Sequence, residues 1–177
     1  MDLNKLNLKI RMFSPYVSEK AMSRVNEVLK SRYLGEGPMV REFEKKFTEL
    51  IGAKYPVSLN SGTSALHLAI AMANVKPGDE IITTAQTMMA TSHAILMQFA
   101  KPVFADIQYS TGNIDPNDIE KRITKKTKAI LPVHWTGYPC DMDEIHEIAE
   151  KHNIPVIEDA AHALGASYKK RSIGTIS

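Results

Sequence analysis

The sequence predicts an α/β protein built on a mainly parallel sheet with flanking helices, and three observations predict it. From Tyr55 onward, short apolar runs recur at roughly twenty-residue spacing, which is the length of a strand plus a crossover helix. The stretches between them carry helical apolar periodicity, in places behind capping residues. The composition, 44% hydrophobic and 24% charged over 177 residues, is that of a globular domain long enough to bury a core.

Two regions are expected. Residues 1–53 form an N-terminal helical segment without a strand. Ser18 precedes Ala21, Met22, Val25, Val28 and Leu29, a helical rhythm behind an N-cap residue. Gly35, Gly37 and Pro38 then break the pattern into a loop. Val40, Phe43, Phe47, Leu50 and Ile51 restore the period until Gly52 ends it. Residues 54–177 are the α/β part. Its strands are expected at Pro56–Leu59, Glu80–Thr83, Pro102–Ile107, Ala129–Val133 and Pro155–Ile157. Its helices are expected at Thr63–Ala73, Thr87–Phe99, Pro116–Ile123 and Met142–His152. Asp115-Pro116 supplies an N-cap acceptor and a proline at the first helical position. Asp141 is expected to cap the last helix, with Asp143 and Glu144 favoured in its first turn by the helix dipole.

Charge and cysteine content exclude several classes. Twenty-two basic and twenty acidic side chains leave a net charge of +2, so nothing marks a nucleic-acid or membrane-surface partner. The basic run Arg122–Lys128 reads as a solvated helix end before a buried strand rather than an anion patch. One cysteine, Cys140, excludes an intrachain disulfide and a cysteine-rich zinc site. His67, His93, His134, His146, His152 and His162 lack metal-ligand spacing, so no metal is expected. No apolar run reaches the roughly 18 residues of a membrane span, and Met1–Lys5 opens no secretory signal. A soluble cytoplasmic protein is the expectation.

Two segments could carry chemistry. Asn60–Ala65 lies where a strand hands over to a helix, and small residues there let backbone N–H groups reach a phosphate. Thr63 and Ser64 could add hydroxyl donors, although an ordinary N-cap explains the same residues equally well. The segment lacks the lysine of a P-loop and the glycine fingerprint of a dinucleotide site. Val156–His162 is an apolar strand ending in Glu158 and Asp159, at the end of a parallel strand where such sheets place ligands. A carboxylate there can hold a protonated ring nitrogen and a nearby imidazole can reach a ring oxygen; alternatively Asp159 caps a short helix and His162 packs. His134 reads as structural, Cys140 as a small filler, and no Gly-x-Ser-x-Gly elbow supports hydrolysis.

In order along the chain stand Gly35-Glu36-Gly37-Pro38, Gly52-Ala53-Lys54, Asn60-Ser61-Gly62-Thr63-Ser64-Ala65-Leu66-His67, Pro77-Gly78-Asp79-Glu80, Pro132-Val133-His134 and Ile157-Glu158-Asp159-Ala160-Ala161-His162-Ala163. This ordered set resembles the DegT/StrS-type sugar aminotransferases, pyridoxal-phosphate (PLP) enzymes of the aspartate aminotransferase fold. The resemblance implies that residues 54–177 are a truncated part of that fold's large PLP-binding domain. It implies that Gly62, Thr63 and Ser64 hold the cofactor phosphate, that Asp159 pairs with the pyridinium nitrogen, and that His162 lies near the ring hydroxyl. Tyr33, Leu34 and Gly35 would lie near a nucleotide-sugar substrate. The implied reaction moves an amino group from an amino acid, glutamate in this reading, to a nucleotide-linked keto sugar, in a homodimer.

The sequence departs from the family pattern in two places. An aromatic residue usually stacks on the cofactor ring, whereas Met88 stands in the matching run Ala85-Gln86-Thr87-Met88; a thioether can pack on a π face. The Schiff-base lysine falls just past Ser177, and neither Lys169 nor Lys170 matches its place, so no catalytic residue is assigned and the chain alone is expected to be inactive. A same-family dehydratase, with histidine at the lysine position, and a non-catalytic binding fragment remain as alternatives. In the family's sheet, two strands after the lysine separate the first strand, here near Val57, from the strand ending at Asp159, so a gap in the sheet is expected.

Overall fold

A computed structural model describes residues 15–177; the reading of Met1–Lys5 lies outside the described residues. The described chain divides into two compact units, one ending at Phe43 and the other running from Glu44 to Ser177.

In the first unit, α1 (Glu19–Ser31) starts where the sequence places it. Ser18 is extended and its hydroxyl accepts the Ala21 N–H at 3.1 Å. None of its residues is buried within the described chain, and Val25 and Leu29 of its apolar face are exposed. A turn through Tyr33–Gly37 leads to α2 (Pro38–Ile51), which continues into the second unit. Gly52 ends it with φ +85°, a left-handed conformation that glycine adopts without a Cβ penalty.

The second unit is an α/β sandwich of three layers. In chain order it comprises α3 (Gly62–Met72), β1 (Glu80–Thr84), α4 (Met89–Met97), β2 (Lys101–Ala105), α5 (Pro116–Arg122), β3 (Thr127–Ile130), α6 (Met142–His152) and a small antiparallel hairpin of β4 (Ser167–Tyr168) and β5 (Arg171–Ser172). The sheet order is β2-β1-β3, all parallel. The segment 155–159 extends it beside β3 through bridges Ile130–Val156 and Val133–Asp159. Four backbone bonds of 2.9 to 3.2 Å carry this extension, from Ile130 to Pro155, Ile157 to Ile130, Asp159 to Pro132 and His134 to Asp159.

Both faces of this sheet are covered, so neighbours such as Ile81 and Ile82, which point to opposite faces, are both buried. Successive side chains point to opposite faces. Ile81, Ala129 and Leu131 join Ile70 of α3 and Ile95 of α4 in one core. Ile82 and Ile130 join Ile119 of α5 and Met142 and Ile145 of α6 in the other.

The parallel α/β expectation holds, with local corrections. Pro56–Leu59 forms no strand; Val57 is 69% exposed and no segment among the described residues pairs with it. The helix expected over Thr87–Phe99 is trimmed at both ends, because Met88 is extended and Phe99 is left-handed at φ +55°. Asp115 caps α5 as expected, accepting the Asn117 N–H at 2.9 Å. Asp141 makes no side-chain cap bond with α6; its carboxylate accepts Gln108 Nε2 at 2.8 Å instead. Among the described residues no helix is long and apolar enough to cross a membrane, and no cluster of His, Cys, Asp or Glu could hold a metal ion.

Candidate functional site

The carboxyl end of the parallel sheet holds Asp159, one of the residues singled out in the sequence. Asp159 ends the outermost parallel segment and is 6% exposed. Its Oδ2 accepts the Thr91 hydroxyl at 2.7 Å, and its Oδ1 accepts the Ala161 N–H at 3.2 Å. The second bond closes a local turn; no helix follows Asp159 for it to cap. Thr91 is itself fully buried and shares a 2.8 Å hydroxyl contact with Thr87. This chain of hydroxyls fixes the carboxylate from the first turn of α4.

Met88 sits immediately before that turn and is 66% exposed, with no capping bond from its side chain. α3 packs against α4, and His67 of α3 and Gln98 after α4 share a 2.9 Å bond. At the start of α3, Ser61 is the N-cap: its hydroxyl accepts the Ser64 N–H at 3.2 Å and contacts the Ser64 hydroxyl at 3.0 Å. The Gly62 and Thr63 N–H groups have no acceptor among the described residues. They are the first-turn donors that an anion can take. Gly62, Thr63 and Ser64 are therefore not equivalent, since the Ser64 amide is occupied.

His162 is exposed, and its ring lies 5.7 Å from that of Trp135 at a tilt of 59°. The loop bearing Trp135 is pinned by Asn113, 1% exposed, which accepts the Trp135 N–H and donates to the Tyr138 and Pro139 carbonyls. Gly137, at φ +88°, lets this loop approach the His162 backbone so closely that a Cβ would stand 2.9 Å from its carbonyl oxygen. Tyr33, Leu34 and Gly35 are exposed and belong to the other unit.

Behind Asp159 lies a second buried group, to which the sequence assigned no chemistry. His134 is fully buried, and its Nδ1 accepts the Cys140 N–H at 3.1 Å. Its Nε2 therefore carries the hydrogen and donates to Glu158 at 3.1 Å. Burial pushes the Glu158 carboxyl pKa up, but the His134 bond and the backbone N–H groups of Gly174, Ser177 and Ile176 outweigh it and hold the pKa at about 2. Burial also raises the Cys140 thiol to about 12, with the nearby Asp141 and Glu158 charges adding to it; its Sγ donates to the Val133 carbonyl. Such a thiol is no nucleophile, in agreement with its reading as a filler.

The family model described as the DegT/DnrJ/EryC1/StrS aminotransferase family matches residues 15–177. The chain belongs to this family. It is 46% identical over 162 residues to the spore coat polysaccharide biosynthesis protein SpsC of Bacillus subtilis, covering 92% of this chain and 42% of that protein. Among solved structures, the aminotransferase from Psychrobacter cryohalolentis superposes with a TM-score of 0.87 at 42% identity, covering 92% of this chain and 42% of the other. Spr1654 of Streptococcus pneumoniae, assigned as a sugar aminotransferase and solved in a PMP form, gives a TM-score of 0.90 at 34% identity and covers 95% of this chain and 46% of its own. The same protein has been solved in a PLP form. This member of the DegT/DnrJ/EryC1/StrS family thus spans less than half the length of these relatives.

Proposed function

We propose that the chain is the N-terminal part of a PLP-dependent aminotransferase that moves an amino group from an amino acid, glutamate in our reading, to a nucleotide-linked keto sugar. The observation that carries the proposal is the buried Asp159 carboxylate, fixed by Thr91 at the end of a parallel strand. The first-turn N–H groups of Gly62 and Thr63 add an anion-binding start to α3, which packs against the helix holding Thr91. An acidic acceptor for a ring nitrogen and free donors for a phosphate fit the cofactor named in the related structures. When bound, pyridoxal phosphate supplies the electron sink for carbanion chemistry.

The chain's own residues have distinct tasks. Asp159 holds a proton on the ring nitrogen, and Thr91 keeps its carboxylate oriented for that bond. Gly62, Thr63 and the Ser64 hydroxyl would bind the phosphate, while Met88, exposed just before α4, would cover one ring face. His162, in ring contact with Trp135, would hold the ring hydroxyl. Tyr33, Leu34 and Gly35 contact the nucleotide sugar in the assembled protein, which we take to be a cytoplasmic homodimer. None of the lysines in these 177 residues matches the family's Schiff-base position, so on this reading the chain binds cofactor without turning over substrate.

A titration of the chain with PLP, followed by absorbance, tests the site. Asp159→Ala should weaken binding about tenfold or more, the worth of one hydrogen bond to a charged group. Lys169→Ala should leave it unchanged, since Lys169 pairs with Asp143 on the hairpin side. Equal affinity for the wild-type chain and the Asp159 variant would overturn the assignment.

A further inference from the structure

Glu158 and Asp159 are neighbours on one strand, so their side chains leave it toward opposite faces. Asp159 turns to Thr91 and α4. The Glu158 side chain, 1% exposed, receives His134 Nε2 and the Gly174 N–H on Oε2, at 3.1 and 3.0 Å. Its Oε1 receives the Ile176 N–H at 2.8 Å, the Ser177 N–H at 2.9 Å and the Ser177 hydroxyl at 3.1 Å. A carboxylate is suited to this place because it only accepts; an amide would turn two N–H donors toward donors already there.

We infer that Glu158 is a positioning residue: its carboxylate, oriented by His134, clamps Gly174–Ser177 to the strand that carries Asp159, and so fixes where this segment stands relative to the cofactor site. The inference rests on the proposed function for what the clamp serves, while the clamp itself rests on geometry alone. Ile173 is already anchored, 2% exposed and donating to the Ala166 carbonyl at 3.0 Å. What Glu158 adds is control over the residues after it. His134 cannot drift, since the Cys140 N–H holds its Nδ1 and its own N–H donates to the Asp159 carbonyl at 3.2 Å. The clamp and the cofactor carboxylate therefore share one rigid segment. A segment placed this way keeps a fixed distance from Asp159, and catalysis is sensitive to misplacement on the scale of an ångström.

Amide hydrogen exchange by NMR on the 177-residue chain is the test. At pH 7 the Gly174, Ile176 and Ser177 amides should be protected, and Glu158→Gln should speed their exchange about tenfold or more, the loss of bonds to a charged acceptor. Ile81 and Ile82 amides should keep their protection. Unprotected amides at 174, 176 and 177 in the unmutated chain would overturn the inference even if the variant failed to fold, and so would unchanged exchange in a folded variant. Positioning is read separately with a fluorophore on Thr175→Cys, an exposed position in the clamped segment that does not bond Glu158, where the buried Cys140 thiol leaves a single labelling site. Bound PLP should quench the label, and adding Glu158→Gln should reduce the quenching while the PLP affinity stays the same; unchanged quenching overturns the positioning role. If the unmutated chain binds no PLP, the cofactor reading fails and the amide exchange alone decides the clamp.

Discussion

Thr91→Val is the sharpest perturbation of the candidate site, because it keeps the shape of a fully buried side chain and removes one hydroxyl. That hydroxyl donates to Asp159 Oδ2 at 2.7 Å and contacts the Thr87 hydroxyl at 2.8 Å. Asp159 is only 6% exposed, so water replaces the lost donor poorly. A hydrogen bond to a charged acceptor is worth about 1.5–3 kcal/mol, and the neutral Thr87 contact about 1 kcal/mol. The single variant should therefore lose about 2.5–4 kcal/mol. A double-mutant cycle with Asp159→Ala isolates the first bond, because the Thr87 contact is lost equally in both backgrounds. Urea unfolding followed by the fluorescence of Trp135, the single tryptophan, supplies the four free energies. A coupling of about 1.5–3 kcal/mol is expected. Costs that add to within about 0.5 kcal/mol would show that the two side chains do not act on each other, and would refute Thr91 as the brace of Asp159.

Two further outcomes follow from the surroundings. The Glu158 pKa falls from 4.5 to about 2 on folding, so its contribution to stability is fully present above pH 4.5 and is lost as pH drops toward about 2. Acid titration of unfolding should show this loss in the unmutated chain and a flatter profile in Glu158→Gln; identical profiles would contradict it. Gly137→Ala puts a Cβ 2.9 Å from the His162 carbonyl oxygen at φ +88° and should cost at least about 1–2 kcal/mol from the backbone conformation alone. By calorimetry that is a Tm drop of several degrees, about 2–4 °C per kcal/mol at this size; an unchanged Tm would refute the close approach.

What was legible in the sequence was local. Ser18 and Asp115 announce α1 and α5 because the capping acceptor lies two or three residues from its donor. Apolar runs such as Ile81-Ile82 and Ile130-Leu131 reveal strands buried on both faces. Pro56–Leu59 carries the same local signal yet remains unpaired, because a strand exists only when another accepts it, and no periodicity reveals that. Asp141 offers the same lesson at one residue: its carboxylate prefers Gln108, 33 positions away, to its own helix. At the site, Asp159 stood out by its place at a strand end. Thr91 did not, since 68 residues separate it from Asp159 and a threonine inside a helix has no motif. Glu158 was visible only as half of a pair of carboxylates, and its partners at His134 and Gly174–Ser177 become evident only in three dimensions.

The unpaired stretch around Val57 has a consequence for the order of events during synthesis. The sheet is assembled from segments that all follow it, with β1 flanked by β2 and β3 and then extended by residues 155–159. On the ribosome, therefore, this stretch emerges first and is still waiting when the other strands have found their places. A segment with a strand's appetite for partners is held here, among the described residues, only by the Ser58 N–H on the Glu44 carboxylate, at 2.8 Å, so its strand-pairing groups stay open to chance partners. An apolar stretch left open in this way is where a nascent chain of this kind most needs a chaperone.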